Sequence, residues 1–209
     1  MFAKQALQST LKRWTGIGRP SKREVDGRIT ERKARTSRFQ DDGLIPNNPD
    51  LDFIHYRSVV RLQGSDDPAA VFEVLFEKNG WAGAWRNGIY DYVHYHPRTH
   101  EVLGLAAGKA RVQFGGPKGK VLALKAGDVV VLPAGTGHQA LSASKDLVVV
   151  GAYPPKGKYD EYEGSIHEHG RALRMISKVP LPRKDPVYGA EGGLRSIWSR
   201  PRKRAKSNV

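Results

Sequence analysis

Apolar residues in this chain come in short runs broken by glycine, proline and charged pairs, the spacing expected of strands joined by tight turns rather than of long helices. Residues 88–96 predict a strand, Pro97, Arg98 and Thr99 a turn, and 101–105 a returning strand. Residues 110–114 and 121–124 read as a pair across the hairpin-like GGPKGK, and 129–132, 139–142 and 147–152 bring the set to about eight short strands, with HYRSVV (55–60) among them. Two stretches depart from this rhythm. DDPAAVFEVLFEKNG carries Asp67 as N-cap, Pro68 at the first helical position and Gly80 beyond the last turn, and Val71, Phe72, Val74, Leu75 and Phe76 give it a broad apolar side. It predicts a helix packed on the outside of a barrel. A second helical pattern runs over 165–177 with Ala172, Leu173 and Ile176 as its contacts, after which Pro180, Pro182 and Pro186 make the exit irregular.

Thirteen prolines and 23 glycines in 209 residues reinforce a mainly β reading, and the length suffices for one full core. The absence of cysteine removes disulfides, thiolate nucleophiles and Cys-type zinc sites, and fits a cytoplasmic protein. No apolar run approaches the roughly 18 residues of a membrane span. The net charge of +14 changes the picture only once it is mapped. Residues 1–38 carry 11 basic and 3 acidic groups, residues 194–209 carry 6 basic and none acidic, and residues 39–193 hold 18 of each sign. Three parts follow: a basic, flexible tail over 1–38, one domain over 39–193, and a basic tail over 194–209. Phe2, Leu7, Leu11 and Trp14 fall roughly on one helical face of the first tail, so organelle targeting and nucleic-acid contact stay open beside the solvated-tail reading. The closing RPRKRAK has no interleaved aromatic to stack a base, so contact with nucleic acid is expected only through charge in the tails.

The chemistry lies between Gly88 and His138. In a strand, side chains alternate faces, so His94 and His96 point the same way, as two ligands of one ion must. Glu101 follows a turn, and His138 arrives behind the turn-rich Pro133-Ala134-Gly135-Thr136-Gly137. Three neutral imidazoles and one carboxylate offset most of a divalent charge and leave coordination positions open. With this composition the spacing Gly88, His94, His96, Glu101, Gly108 recurs by chance roughly once in 10,000 such chains, against the plainer reading of two polar residues on a solvated strand face.

These residues resemble the two motifs of the cupin superfamily. Gly88, His94, His96, Glu101 and Gly108 fill every fixed position of the first; Gly127, Pro133, Gly135 and His138 match the second, with Ser142 where the pattern has Asn. Wider stretches, NGWAGAWRNGIYDYVHYHPRTHEVLG, PAGTGH, VVGAYP and VPLPRKDPVYG, look like the YjlB-like branch, although Gly193 departs from it. The resemblance implies an all-β jelly roll, the double-stranded β-helix barrel, with a few flanking helices. It also implies one divalent transition metal ion (Fe, Mn, Ni, Co or Zn), a small-molecule ligand, and association as a homodimer.

Strand parity nominates the pocket lining. Counting back from His94 gives Tyr92, Tyr90 and Arg86; counting on from His138 gives Ala140 and Ser142, with Gln139 nearby. Tyr90 and Tyr92 are candidate catalytic phenols or ordinary core packing. Arg86 is a candidate clamp for an anionic substrate or half of a structural ion pair. His100 precedes Glu101 and should face away from the ion, so it is a candidate supporting catalytic residue. His55, His167 and His169 read as surface or capping residues. The leading functional expectation is a metal-dependent enzyme of dioxygenase or isomerase type acting on a small molecule; the alternative is a non-catalytic protein that binds or senses a small molecule or metal through the same pocket.

Overall fold

The computed structural model describes residues 18–199. Phe2, Leu7, Leu11, Trp14 and the RPRKRAK end lie outside the described residues. In chain order the elements are α1 (Lys22–Asp26), β1 (Arg35–Ser37), β2 (Phe53–Tyr56), α2 (Pro68–Lys78), β3 (Ala82–Asn87), β4 (Glu101–Ala107), β5 (Lys109–Phe114), β6 (Lys120–Lys125), β7 (Val129–Leu132), β8 (His138–Ala143), β9 (Val148–Tyr153), α3 (Ile166–Ile176) and α4 (Leu194–Trp198). The strands form an antiparallel six-stranded sheet, β1-β2-β7-β4-β9-β3, facing a three-stranded sheet, β6-β5-β8. This is the expected all-β jelly roll.

The two faces of the large sheet explain its sequence. Between the sheets, Phe53, Leu103, Leu105, Val112, Phe114, Leu124, Val130 and Leu132 form one core. On the outer face Ile54, Tyr56, Val102, Val129, Val131 and Val150 meet Phe72 and Phe76 of α2. A sheet covered on both faces must be apolar at every position, which is why β7 reads VVVL and β4 reads EVLGLAA rather than alternating. The helix therefore packs outside the barrel, as its pattern predicts. Its seat depends on Gly104, where an added Cβ would lie 2.4 Å from the Phe72 ring.

Three expectations need correcting. Residues 88–96 form no regular strand: only isolated bridges tie His94 to His138 and Tyr95 to Tyr162. The strand lies earlier, in β3, whose AGAWRN composition lacks the apolar run that marks the others. Second, the folded unit extends past both expected boundaries. Ser21 and Glu24 make a reciprocal capping box at α1, and Val25 is fully buried in the outer core. β1 pairs with β2. At the other end Leu194 and Trp198 are buried, Trp198 donating its indole N–H to the Asp52 carbonyl at 2.8 Å. The Tyr188 hydroxyl also accepts from the Arg32 amide at 2.8 Å, clamping one end of the chain to the other. Basic residues dominate the composition of these segments, while single apolar anchors decide their structure. Third, His55 is neither surface nor capping: it is buried with Nε2 3.4 Å from Asp128. His169 pairs with Asp41 at 2.8 Å.

Candidate metal centre

β4 and β8 present Glu101 and His138 toward the space between the sheets, and the Gly88-to-His96 segment crosses its mouth with His94 and His96. The reciprocal bridge between His94 and His138 (N···O 3.1 and 2.9 Å) fixes these two segments together, and the ring centroids lie 4.0 Å apart. One ring nitrogen of each of His94, His96 and His138 lies within 4.8 Å of the others, and all three residues are buried. Glu101 Oε2 sits 3.4 Å from His138 Nε2 and 3.6 Å from His96 Nε2. The four residues that spacing nominates as ligands are thus brought to one point.

Their hydrogen bonds set the tautomers. His94 Nδ1 faces the Tyr92 carbonyl at 3.3 Å, His138 Nδ1 the Thr136 carbonyl at 3.2 Å, and His96 Nδ1 the Asp160 carbonyl. A carbonyl only accepts, so each Nδ1 must carry the hydrogen and each Nε2 must offer a lone pair. Burial holds all three imidazoles below their ordinary pKa, His138 furthest because His94 and His96 add to it. Burial also pushes the Glu101 carboxyl up to about 7, against the pull of His94 and a hydrogen bond with Tyr153. Glu101 Oε2 is buried without a hydrogen-bond partner. Three buried ring nitrogens within 4.8 Å of one another beside an unpartnered buried carboxylate oxygen fit a divalent ion. Among the described residues no second group of this kind occurs.

The donors open into a cavity of about 380 Å³. Tyr90 lines it; Tyr92 stands behind, stacked on Tyr90 at 4.8 Å and bonded through its hydroxyl to Glu161 at 3.0 Å. Desolvation and that carboxylate push the Tyr92 phenol up to about 12, so it keeps its proton and donates a hydrogen bond to Glu161.

Four nominated residues are placed differently. Arg86 reaches the cavity wall, but its guanidinium is held by both Glu73 oxygens at 2.9 Å and by Asp67 at 2.9 and 3.2 Å, so it is a structural ion pair rather than an anion clamp. His100 turns away from the ligands: its Nδ1 accepts from the Ala134 amide at 2.9 Å and its ring lies 4.8 Å from Trp198. Burial takes its pKa down to about 3, and it supports the fold with no catalytic contact. Gln139 donates to the Asp91 carbonyl at 3.0 Å and tethers the mouth segment. Ser142 is exposed, because the ladder pairs Val112 with Ala140 and Arg111 with Ser142, leaving Leu141 as an extra residue that flips the parity.

Parity from the motifs missed Trp85, Tyr153, Tyr159 and Glu161, all of which line the cavity. Tyr153 was within reach: Leu103 pairs with Gly151, so Tyr153 continues the face of Glu101, and the Trp85 indole holds its hydroxyl at 2.8 Å. That indole occupies the space a Cβ at Gly151 would take, 2.1 Å away. Tyr159 and Glu161 come from an irregular segment after β9 whose sequence carries no spacing signal.

Comparison with known proteins bears on this arrangement. The Cupin domain family model matches residues 86–151. The Bacillus subtilis (strain 168) protein described as uncharacterized protein YjlB is 40% identical over 168 residues, covering 80% of this chain and 98% of that one. Among solved structures, a Klebsiella pneumoniae conserved protein with a double-stranded β-helix domain shares 15% identity, with 68% of this chain and 94% of that chain covered and a TM-score of 0.33. The Campylobacter jejuni TDP-fucose-3,4-ketoisomerase shares 12% identity over 46% and 77%, with a TM-score of 0.36. A DMSP lyase structure shares 20% over 39% of this chain and 41% of that chain, about two fifths of its length, at 0.31. Scores this low carry no argument about what the pocket does.

Proposed function

This chain belongs to the cupin superfamily, in the branch that includes Bacillus subtilis YjlB, and from that premise we propose that it is a metal-dependent enzyme of dioxygenase or isomerase type. It holds one divalent transition metal ion through His94, His96, Glu101 and His138 and acts on a small molecule in the adjoining cavity. The observation that carries this reading is the convergence of three Nε2 lone pairs on a buried carboxylate oxygen that has no other partner. When bound, such an ion supplies Lewis acidity and, if redox-active, one-electron chemistry.

The chain's own residues do the rest. Three backbone carbonyls fix the imidazoles, so the donor set is formed in advance. Tyr153, steadied by Trp85, orients the Glu101 carboxyl. Tyr90 lines the entrance with Tyr92 stacked behind it, and the Tyr92 hydroxyl donates a hydrogen bond that holds the Glu161 carboxylate at the rim. Leu103 and Ile89 keep part of the cavity wall apolar, limiting water around the donors.

The test is metal content by mass spectrometry on protein purified without chelator, beside the His138→Ala variant. About one equivalent in the parent and little in the variant is expected. A variant that keeps its full metal complement overturns the ligand assignment.

A further inference from the structure

The outer half of the cavity has a chemistry of its own. Tyr90 is 43% exposed and Tyr159 54%, and both line one concave mouth, with Tyr92, 38% exposed, behind Tyr90. Tyr90 and Tyr92 are stacked; Tyr159 stands across from them, its ring 5.1 Å from His96 and 5.5 Å from Tyr153. Between the two sides lies Glu161, whose carboxylate accepts from the Tyr92 hydroxyl at 3.0 Å and the Tyr159 hydroxyl at 2.8 Å. Open aromatic faces around a concave site mark a place where something binds.

The charges say what kind of group. Arg86 is the single Lys or Arg among the lining residues, and Glu73 and Asp67 together outweigh it. In the proposed centre the divalent ion lies at the inner end of the cavity, where Glu101 offsets one of its two charges. Glu161 is bonded only by neutral phenols, which hold it in place and leave its charge uncancelled. The mouth of the pocket is therefore anionic in a chain whose formal charge is +14. An anionic group at the mouth would meet Glu161 first, with no Lys or Arg among the lining residues beyond the paired Arg86. A cationic nitrogen would meet a carboxylate and two or more π faces, the arrangement that binds ammonium and methylated ammonium groups.

From this we infer that the substrate or ligand is a small molecule bearing a positively charged nitrogen, seated between Tyr90, Tyr159 and Glu161 with its remaining part directed inward toward the metal ligands. The inference rests on the cavity being the substrate site proposed above, and it extends that reading to the substrate class.

Choline and its neutral carbon isostere, 3,3-dimethylbutan-1-ol, test it, because they share a shape and differ in charge. Binding of each to the full chain is followed by saturation-transfer NMR, on protein as purified and after chelator treatment. The expected result is a choline Kd about tenfold or more below that of the isostere, a preference that falls to about twofold in Glu161→Gln and is weakened in Tyr159→Leu but largely kept in Tyr159→Phe. Circular dichroism and metal content, both unchanged in these variants, separate loss of binding from loss of structure. Equal binding of the two probes, a full preference in Glu161→Gln, or no choline binding to folded protein each overturns the inference. A protein that holds no metal as purified or after metal is added back, yet still prefers choline, sinks the metal reading and leaves this one standing.

Discussion

Two carboxylates are buried to the same degree on the two sides of the six-stranded sheet, Glu101 at 2% exposure and Asp185 at 1%. Asp185 is completely answered: it accepts from the Tyr56 hydroxyl at 2.5 Å and from the amides of Val187, Tyr188 and Leu194 at 2.8, 3.1 and 3.3 Å. Glu101 has Oε2 in contact with two imidazoles that have no hydrogen to give it. Burial costs both, and an unpaired buried acceptor costs about 1–3 kcal/mol beyond a paired one. Asp185 recovers that cost within the fold and knots the C-terminal segment to β2. Glu101 does not recover it until something positive arrives. Degree of burial therefore fails to distinguish scaffold from site, whereas the state of the hydrogen-bond ledger does.

The largest effect should come from Asp185→Ala, which strands one hydroxyl and three amides in the outer core: a loss of about 4 kcal/mol in chemical denaturation, with metal content per folded molecule unchanged. A loss below about 1 kcal/mol would break the contrast. Arg86→Ala comes next, because it leaves Glu73, 2% exposed, without its guanidinium; about 3 kcal/mol is expected, again with full metal occupancy. Asp128→Asn should cost about 1–2 kcal/mol at neutral pH. Burial raises the Asp128 pKa, but the nearby His55 ring and the Ser58 and Lys125 amides outweigh it and set the value below 3.8. A lowered folded-state pKa gives stability that is present above the unfolded value and lost as pH falls through the folded one. The gap between parent and Asp128→Asn should thus hold from pH 7 to pH 5 and narrow below about 3.8, read from denaturant midpoints. The smallest stability change belongs to Glu101→Gln, which in chelated protein should be neutral or stabilising by up to about 1 kcal/mol, because it removes a buried charge whose Oε2 has no partner while an amide oxygen can still accept from Tyr153. The same variant should lose most of its metal.

These contrasts also show what could be read in the sequence. The meeting of His94, His96, Glu101 and His138 was legible because an alternating pair and two glycine-framed turns leave few ways to seat them. Helix α2 was legible through Asp67, Pro68 and a broad apolar side. Arg86 was not: its acidic partners sit 13 and 19 residues earlier on and before α2, and only the packing of that helix against β3 brings them together. Ser142 was misread because one extra residue opposite β5 reverses the parity, and nothing in HQALSA announces it. The folded ends were hidden by their charge, since Val25, Leu194 and Trp198 are a few apolar anchors among lysines and arginines. Tyr159 and Glu161 lie on backbone with no period at all, and their position is set by where β9 ends, by the Tyr95–Tyr162 bridge and by hydrogen bonds to Tyr92 and His96.

One hydrogen bond links these regions thermodynamically. The carbonyl that fixes the His96 ring belongs to Asp160, the residue between Tyr159 and Glu161. Any ligand that steadies Tyr159 and Glu161 also steadies that carbonyl, and so favours the His96 orientation that receives an ion. Coupling of this kind is reciprocal: the factor by which ligand tightens metal binding must equal the factor by which metal tightens ligand binding, and the Asp160 carbonyl and the Tyr159 ring are where the two sites meet.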